Sequence, residues 1–403
     1  MRVFYGWVVV AATHAVLVVI FGVAYAFAAF FGALESEFGA SRGDIALVFA
    51  LSGFLYFLVG AFAGQLADRF GPRRVVLAGI GFLAAGLAAA SRAGSLEALY
   101  VTYSLGIGLG VGCVYVPSVG AVQPWFIARR GLASGIAVAG IGVGNFFVPL
   151  LAARLVEAFG WRQSFLVLAA GALALGGIAG LAIENRPQAR GLYPDGARAG
   201  DGAAPPAQAP AGIALRAAMR ERAFWLQWGA IFACGVGLFI PFVHLVPYAR
   251  DAGHSETTAV FLVSLIGVGS MVGRFGLAGV ADRMPRRVLH AALYAGMAAM
   301  LGLWLVSTGA IALGIFAVAF GTFYGAFVAL QPPLAMDLYG ARSVSGIIGV
   351  LYTAAGLGLL LGPWLAGVAF DLTRSYTAPI VAGIVLMLVA AALALALRRA
   401  PVT

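Results

Sequence analysis

The sequence predicts an all-α membrane protein of twelve transmembrane helices in two six-helix bundles, and three observations carry that prediction. The 403 residues are 62% hydrophobic and only 10% charged, with a mean hydropathy of +0.99, outside the apolar and charged fractions of soluble domains. The apolar residues fall in long uninterrupted runs. A single long polar stretch divides those runs six and six.

A membrane helix needs about 20 apolar residues to cross about 30 Å of hydrocarbon. Runs of that kind lie near residues 6–33, 44–66, 74–92, 98–124, 132–156, 163–183, 224–249, 258–280, 288–307, 310–335, 346–370 and 377–397. They are continuous and about twice a barrel strand's length, so helices are expected rather than strands. The first is too long for the core of a signal peptide and is followed by more spans, so it is read as a retained helix. Residues 184–222 are the polar interruption, and Asp195 to Pro210 is rich in Ala, Pro and Gly with little to pack, the composition of a flexible linker. The expected organisation is an N-terminal bundle over 1–183, a cytosolic linker over 184–222 and a C-terminal bundle over 223–403, as in parallel repeats related by an axis along the membrane normal.

An internal echo agrees with that division. Asp68-Arg69-Phe70-Gly71-Pro72-Arg73-Arg74 follows the second span, and Asp282-Arg283-Met284-Pro285-Arg286-Arg287 follows the eighth. In such a turn an Asp can accept bonds from helix N-termini while arginines sit at lipid headgroups; Asp68, Arg69, Arg73, Asp282 and Arg283 are therefore candidate conformational gating residues.

A net charge of +10 would suggest nucleic acid in a soluble protein, but every basic residue here is an arginine and the arginines are asymmetrically placed. Most share one side with both termini, among them Arg69, Arg129, Arg130, Arg286, Arg398 and Arg399; the alternate loops carry mainly Arg42, Arg92, Arg162, Arg250 and Arg374. That asymmetry predicts a multi-pass protein of the cell's inner (plasma) membrane with both termini cytosolic. The bilayer, not nucleic acid, is the expected partner. Cys113 and Cys234 lie inside spans, where a thiol packs as a small hydrophobe, and no disulfide, metal or cofactor is indicated. Gly106-Ile107-Gly108-Leu109-Gly110-Val111-Gly112 lies within the fourth span with no preceding strand, so it serves helix packing rather than nucleotide binding. Ser, His and Asp occur without a nucleophile-elbow setting, and no enzyme is expected.

Gly64-Gln65-Leu66-Ala67-Asp68-Arg69-Phe70-Gly71-Pro72-Arg73-Arg74 resembles the signature loop of the major facilitator superfamily, and the resemblance covers essentially the whole chain. Within that superfamily, Tyr5-Gly6-Trp7, Trp125-Phe126 with Arg129-Arg130-Gly131-Leu132-Ala133-Ser134-Gly135, and Tyr352-Thr353-Ala354-Ala355-Gly356 resemble the monocarboxylate transporters and the oxalate–formate exchangers. The resemblance implies the major facilitator fold and transport.

Arg274 is the most informative residue. It lies about eight residues, roughly 12 Å of helix, before Asp282, where a charge costs about 2.5–3.5 kcal/mol by insertion scales and needs a partner or a wet cavity. The acidic residues Asp44, Glu97, Glu157, Glu184, Asp337 and Asp371 all map to span ends. A cationic cavity without a fixed counter-anion suits an anionic substrate, whose carboxylate can bind a guanidinium bidentately. The alternative is an arginine that snorkels to the headgroups, against which stand the neighbouring Gly269, Gly273 and Gly276 and the matching position in the first half, Gly60. Arg274 also matches the substrate-binding arginine of the eighth span in both resembled groups. Where the exchangers place a second cation in the eleventh span this chain has Ala355, which favours one carboxylate over two. Where animal monocarboxylate transporters have an Asp four residues before the arginine, and a lysine in the first span, this chain has Ser270 and Ala29.

Tyr115 and Tyr25 resemble pocket positions of the related exchangers, and Tyr324 and Tyr352 fall at matching depths. A phenol can donate to carboxylate oxygens while its ring closes the cavity to water, and ordinary packing or an interfacial belt is the competing account of each. Phe27, Asn145 and Ser270 complete the substrate-binding candidates. His244 and His14 are the proton-coupling candidates, since imidazole titrates near neutrality; a hydrogen-bonded structural histidine is the competing account.

The expected function is secondary active transport of a small organic anion by alternating access, as proton-coupled symport of a lactate-like monocarboxylate by a monomer. Carboxylate exchange and a transporter-like sensor that does not translocate are the alternatives.

Overall fold

A backbone inside hydrocarbon must satisfy its own polar groups, and the apolar runs do so as helices. The computed structural model describes residues 4–127, 129–196, 212–276, 284–340 and 343–397, and eleven of its helices are long and apolar enough to cross a membrane. One of these, Gly131–Ala182, holds two spans, because Gly160 inside it adopts φ 75°, ψ 166° and interrupts the helix, a conformation that glycine tolerates at little cost. With that division the spans are twelve: α1 (Tyr5–Phe38), α2 (Arg42–Phe70), α3 (Pro72–Ala90), α4 (Leu96–Val122), α5 (130–159), α6 (161–182), α7 (Arg222–Asp251), α8 (Glu256–Gly276), α9 (Arg286–Leu305), α10 (Ala310–Tyr339), α11 (Val344–Thr373) and α12 (Thr377–Leu395).

Local chemistry sets the ends that matter for the site. A capping box starts α2: the Asp44 amide donates to Ser41 Oγ at 3.2 Å and the Ser41 amide to Asp44 Oδ2 at 3.4 Å, each bond satisfying an otherwise orphaned donor. Gly71 at φ 83° ends α2, and Pro72 opens α3, the position where a missing N–H costs nothing. The first helix of each half is broken in mid-span, α1 at Ala26 and α7 at Phe239. In α7, Pro241 explains the break, since its ring clashes with the carbonyl four residues earlier.

The helices before the linker pair as α1 with α5, α2 with α4 and α3 with α4; those after it pair as α7 with α11, α8 with α10 and α9 with α10. The second set repeats the first with each helix advanced by six. The two sets meet along α2–α11 and α5–α8, where Gly43 faces Gly367 and Gly142 faces Gly267 with no space for a Cβ. Below, the linker side is the side of Asp68 and Asn185, and the far side is that of Asp251 and Tyr376.

Candidate functional site

A cavity of about 650 Å³ lies between the two sets of helices, within the range of small-molecule sites. Its wall is aromatic: Phe21 and Tyr25 from α1, Tyr56 and Phe57 from α2, Tyr115 from α4, Phe239 from α7, Tyr324 and Phe327 from α10, and Tyr352 from α11. Ala355 and Gln331 complete it on the second half, and Gln65, Asp68, Asn185 and Arg186 line its linker-side mouth. At the inner end the rings close on one another, Tyr25 on Phe242 at 4.6 Å between centroids and Phe242 on Tyr324 at 5.5 Å. The breaks in α1 and α7 therefore sit at the roof of the cavity, since Tyr25 ends one helical segment and Phe242 lies in the first turn of another.

Arg274 reaches this cavity from α8. The residue is 8% exposed, and among the described residues it is the only charged member of the buried set. Its Nε donates to Ser270 Oγ at 3.2 Å, one turn earlier. Both terminal guanidinium nitrogens are buried and meet no acceptor among the described residues. The helix that carries it is fixed by backbone contact, because a Cβ at Gly269 or Gly273 would strike the carbonyls of Val318 and Thr322 on α10. The charge lies within electrostatic reach of the Tyr115 and Tyr352 hydroxyls, and the only acid on the described wall, Asp68, is at the mouth. Such a site offers one cation, several hydroxyl donors and apolar ring faces, which suits a single carboxylate on a small body.

The structure brings together Arg274, Ser270, Tyr25, Tyr115, Tyr324 and Tyr352. It places Phe27 elsewhere, 1% exposed in the core of the first half against Phe49 and Tyr103, at 5.8 and 5.5 Å. Asn145 is buried in α5 away from the cavity wall, with neither amide atom partnered. His14 is also off the wall; its Nδ1–H donates to the Ile136 carbonyl at 2.7 Å. Of the gating residues, Asp68 is at the mouth, Arg69 lies over the Phe70 ring at 5.2 Å, and Arg73 donates to Glu184 Oε2 at 2.8 Å. Asp282 and Arg283 lie outside the described residues. Sequence reasoning passed over Tyr56 and Gln331, both on the wall, and a third residue, His290 of α9. A polar or ionisable residue inside an apolar run was the available signal for the last two.

The sequence profile of the Major Facilitator Superfamily matches residues 13–349. The chain belongs to the major facilitator superfamily. Within it, this facilitator is related to the monocarboxylate transporters: it is 30% identical to monocarboxylate transporter 12-B of Danio rerio, over 93% of this chain and 83% of that one. It is 32% identical to monocarboxylate transporter 3 of Rattus norvegicus, over 92% and 75%. In fold it is similar to a bacterial homolog of the human lysosomal transporter Spinster, crystallised inward-facing and unoccupied, with a TM-score of 0.73 and 18% identity over 98% of both chains.

On its far side the facilitator is sealed by a clamp between the halves. Arg42, at the start of α2, donates through both terminal nitrogens to Asp251 of α7 at 2.6 and 2.7 Å and also to the Tyr376 hydroxyl at 3.0 Å. Its guanidinium lies 4.0 Å from the Phe370 ring centroid. Asp371 at the end of α11 accepts from the Arg42 and Gly43 amides at 3.0 and 2.8 Å, placing a carboxylate on the N-terminus of α2, where the helix dipole favours it. His244 belongs to this clamp. Its Nε2–H donates to the Pro363 carbonyl at 2.7 Å, so in the neutral ring Nδ1 accepts from the Tyr376 hydroxyl at 3.1 Å. Burial holds that phenol above its ordinary pKa range, and it remains a neutral hydroxyl.

Proposed function

We propose that this facilitator is a secondary active transporter that carries a small monocarboxylate of lactate-like size together with a proton by alternating access. The observation that best supports the reading is a buried guanidinium on the cavity wall with two terminal nitrogens that no group among the described residues satisfies. Arg274 holds the carboxylate, Tyr115 and Tyr352 donate to it, and the aromatic wall encloses the apolar remainder. The linker side is the cytosolic side of a plasma-membrane protein, the orientation that the arginine distribution favours, and the open mouth faces the cytosol. Closing the cavity over an unpaired guanidinium is costly; a bound carboxylate neutralises the charge and lowers that cost, so occupied carriers close more readily. A single cation also favours one carboxylate over two.

Arg274→Gln should abolish saturable uptake of L-lactate while membrane insertion persists, and unimpaired uptake by that variant overturns the assignment. A thermal-shift panel of small carboxylates on the purified protein identifies the substrate, because a ligand at 100 times its dissociation constant adds about 2.7 kcal/mol.

Electroneutral exchange is the second reading, favoured by the lack of an acid facing Arg274 among the described residues. Without such an acid an empty carrier must occlude a bare charge to return. Proteoliposomes separate the two: exchange needs an internal counter-anion, whereas symport responds to an imposed pH step.

A further inference from the structure

The three histidines within spans differ in what their ring nitrogens meet. His244 has both nitrogens engaged, and His14 donates through Nδ1 to a carbonyl on the first-half seam. His290 of α9 is 1% exposed, and its Nδ1–H donates to the Arg286 carbonyl at 2.9 Å. A carbonyl can only accept, so in the neutral ring Nε2 is a bare lone pair, and that nitrogen is buried with no donor in reach among the described residues. An unmatched base in a low-dielectric interior is costly to hold unless it has a use.

A polar track leads from the cavity to this nitrogen's neighbourhood. Gln331 on the wall accepts from Gln227 Nε2 at 3.4 Å and donates through its own Nε2 to the Tyr294 hydroxyl at 3.5 Å. Tyr294 lies one turn after His290 on α9, with ring centroids 6.5 Å apart. Phe327, also on the wall, covers both rings, 6.3 Å from His290 and 5.2 Å from Tyr294. Gln331, Tyr294 and Phe327 therefore separate the base from the cavity.

We infer that His290 Nε2 is the proton-binding site of this carrier, filled from the cavity past Gln331 and Tyr294. The inference rests on the proton-coupled reading above. The titratable and charged groups around the imidazole are Arg286 of its own helix, paired with Asp337 of α10 at 3.0 Å, then Tyr294, and Cys234 of α7 beside Tyr294. Among the described residues no unpaired carboxylate faces the imidazole, since Asp337 is held by Arg286. Protonation converts neutral imidazole to imidazolium and adds one positive charge behind a wall that already carries Arg274. A carboxylate bound in the cavity and an imidazolium behind its wall attract one another. Anion and proton therefore raise each other's affinity by the same factor, the condition for moving together. His244 and His14 are then structural.

His290→Asn tests the assignment, because the asparagine amide keeps the donor to the Arg286 carbonyl and lacks the base. With purified protein, wild-type affinity for L-lactate should rise as pH falls, by at most tenfold per unit for a one-proton linkage, and the variant's affinity should be flat. In proteoliposomes the variant should retain L-lactate counterflow and lose accumulation driven by an inward pH step. A variant that still accumulates L-lactate on that step, or whose affinity titrates as the wild type's does, overturns the inference. Tyr294→Phe keeps the ring packing and deletes the hydroxyl on the track; it should slow pH-driven uptake relative to counterflow, and an unchanged ratio counts equally against the proposal. Absence of L-lactate counterflow in the wild type overturns the monocarboxylate reading itself, and the role of His290 with it.

Discussion

Two arginines of this facilitator, one at the far-side seal and one in the cavity, are treated in opposite ways. Arg42 is saturated, with a bidentate carboxylate, a phenol, a ring face and a second carboxylate, Glu35, at 3.5 Å. Among the described residues Arg274 has a single bond, from Nε to a serine hydroxyl, and its other nitrogens have none. A saturated cation is a lock, since its partners span the two halves and must part before the far side opens. On the proposed reading an unsaturated one is a site, whose missing partners the substrate supplies as it comes and goes. The comparison is sharpest at Arg274. Arg274→Gln removes two charge-assisted bonds to substrate, about 3–5 kcal/mol, a hundredfold or greater loss of carboxylate affinity. The empty protein should melt no lower than the wild type, and higher if the unpaired charge is as costly as its burial implies; a lower melting point would mean that Arg274 has a structural partner.

Arg42→Gln is the converse experiment. It leaves Asp251 without its counter-charge and should destabilise the far-side-closed conformer by about 2–3 kcal/mol. Spin labels on the far-side ends of α2 and α7 should then report a longer distance in the variant. The native Cys113 and Cys234 are both buried, so introduced cysteines label selectively. Carboxylate binding should persist in this variant, and its abolition would erase the distinction between lock and site.

The position of Arg274 can be disturbed without touching its chemistry. A Cβ at Gly273 would collide with the Thr322 backbone, whereas one at Gly276 meets nothing within 4 Å among the described residues. Gly273→Ala should cost about 1–3 kcal/mol by overpacking and weaken binding by displacing α8. Gly276→Ala should stay within about 0.5 kcal/mol of the wild type. Thermal unfolding of the pair checks both.

How much of this was legible in the sequence follows from range. The spans were, because apolar run length is a local property, and even the division at Gly160 falls where two runs were separated. Arg274 was legible because a lone charge in an apolar run has few explanations. Phe27 was misleading for a physical reason: two steps along a helix turn the side chain by about 200°, so with Tyr25 on the cavity wall Phe27 faces Tyr103 instead. The clamp was not legible, since Arg42 finds its partners 209 and 334 residues away. His290 was visible as an ionisable residue, but its bare nitrogen depends on which acceptor holds the other one.

The smallest effect decides whether the phenols belong to the same site as the arginine. Tyr115→Phe removes one hydroxyl and should weaken carboxylate binding by about 0.5–1.5 kcal/mol, roughly tenfold at most. A loss of that size alone would also follow from a shifted ring, because Tyr115 packs edge-on against Phe21 at 5.4 Å. The double variant with Arg274→Gln separates the causes. If hydroxyl and guanidinium grip one carboxylate, removing the guanidinium releases the anion from both, and Tyr115→Phe in that background costs little more, giving a coupling energy close to the single-variant loss. If Tyr115 only packs, the two losses add, and the site contracts to Arg274 and whichever of Tyr324 and Tyr352 couples to it.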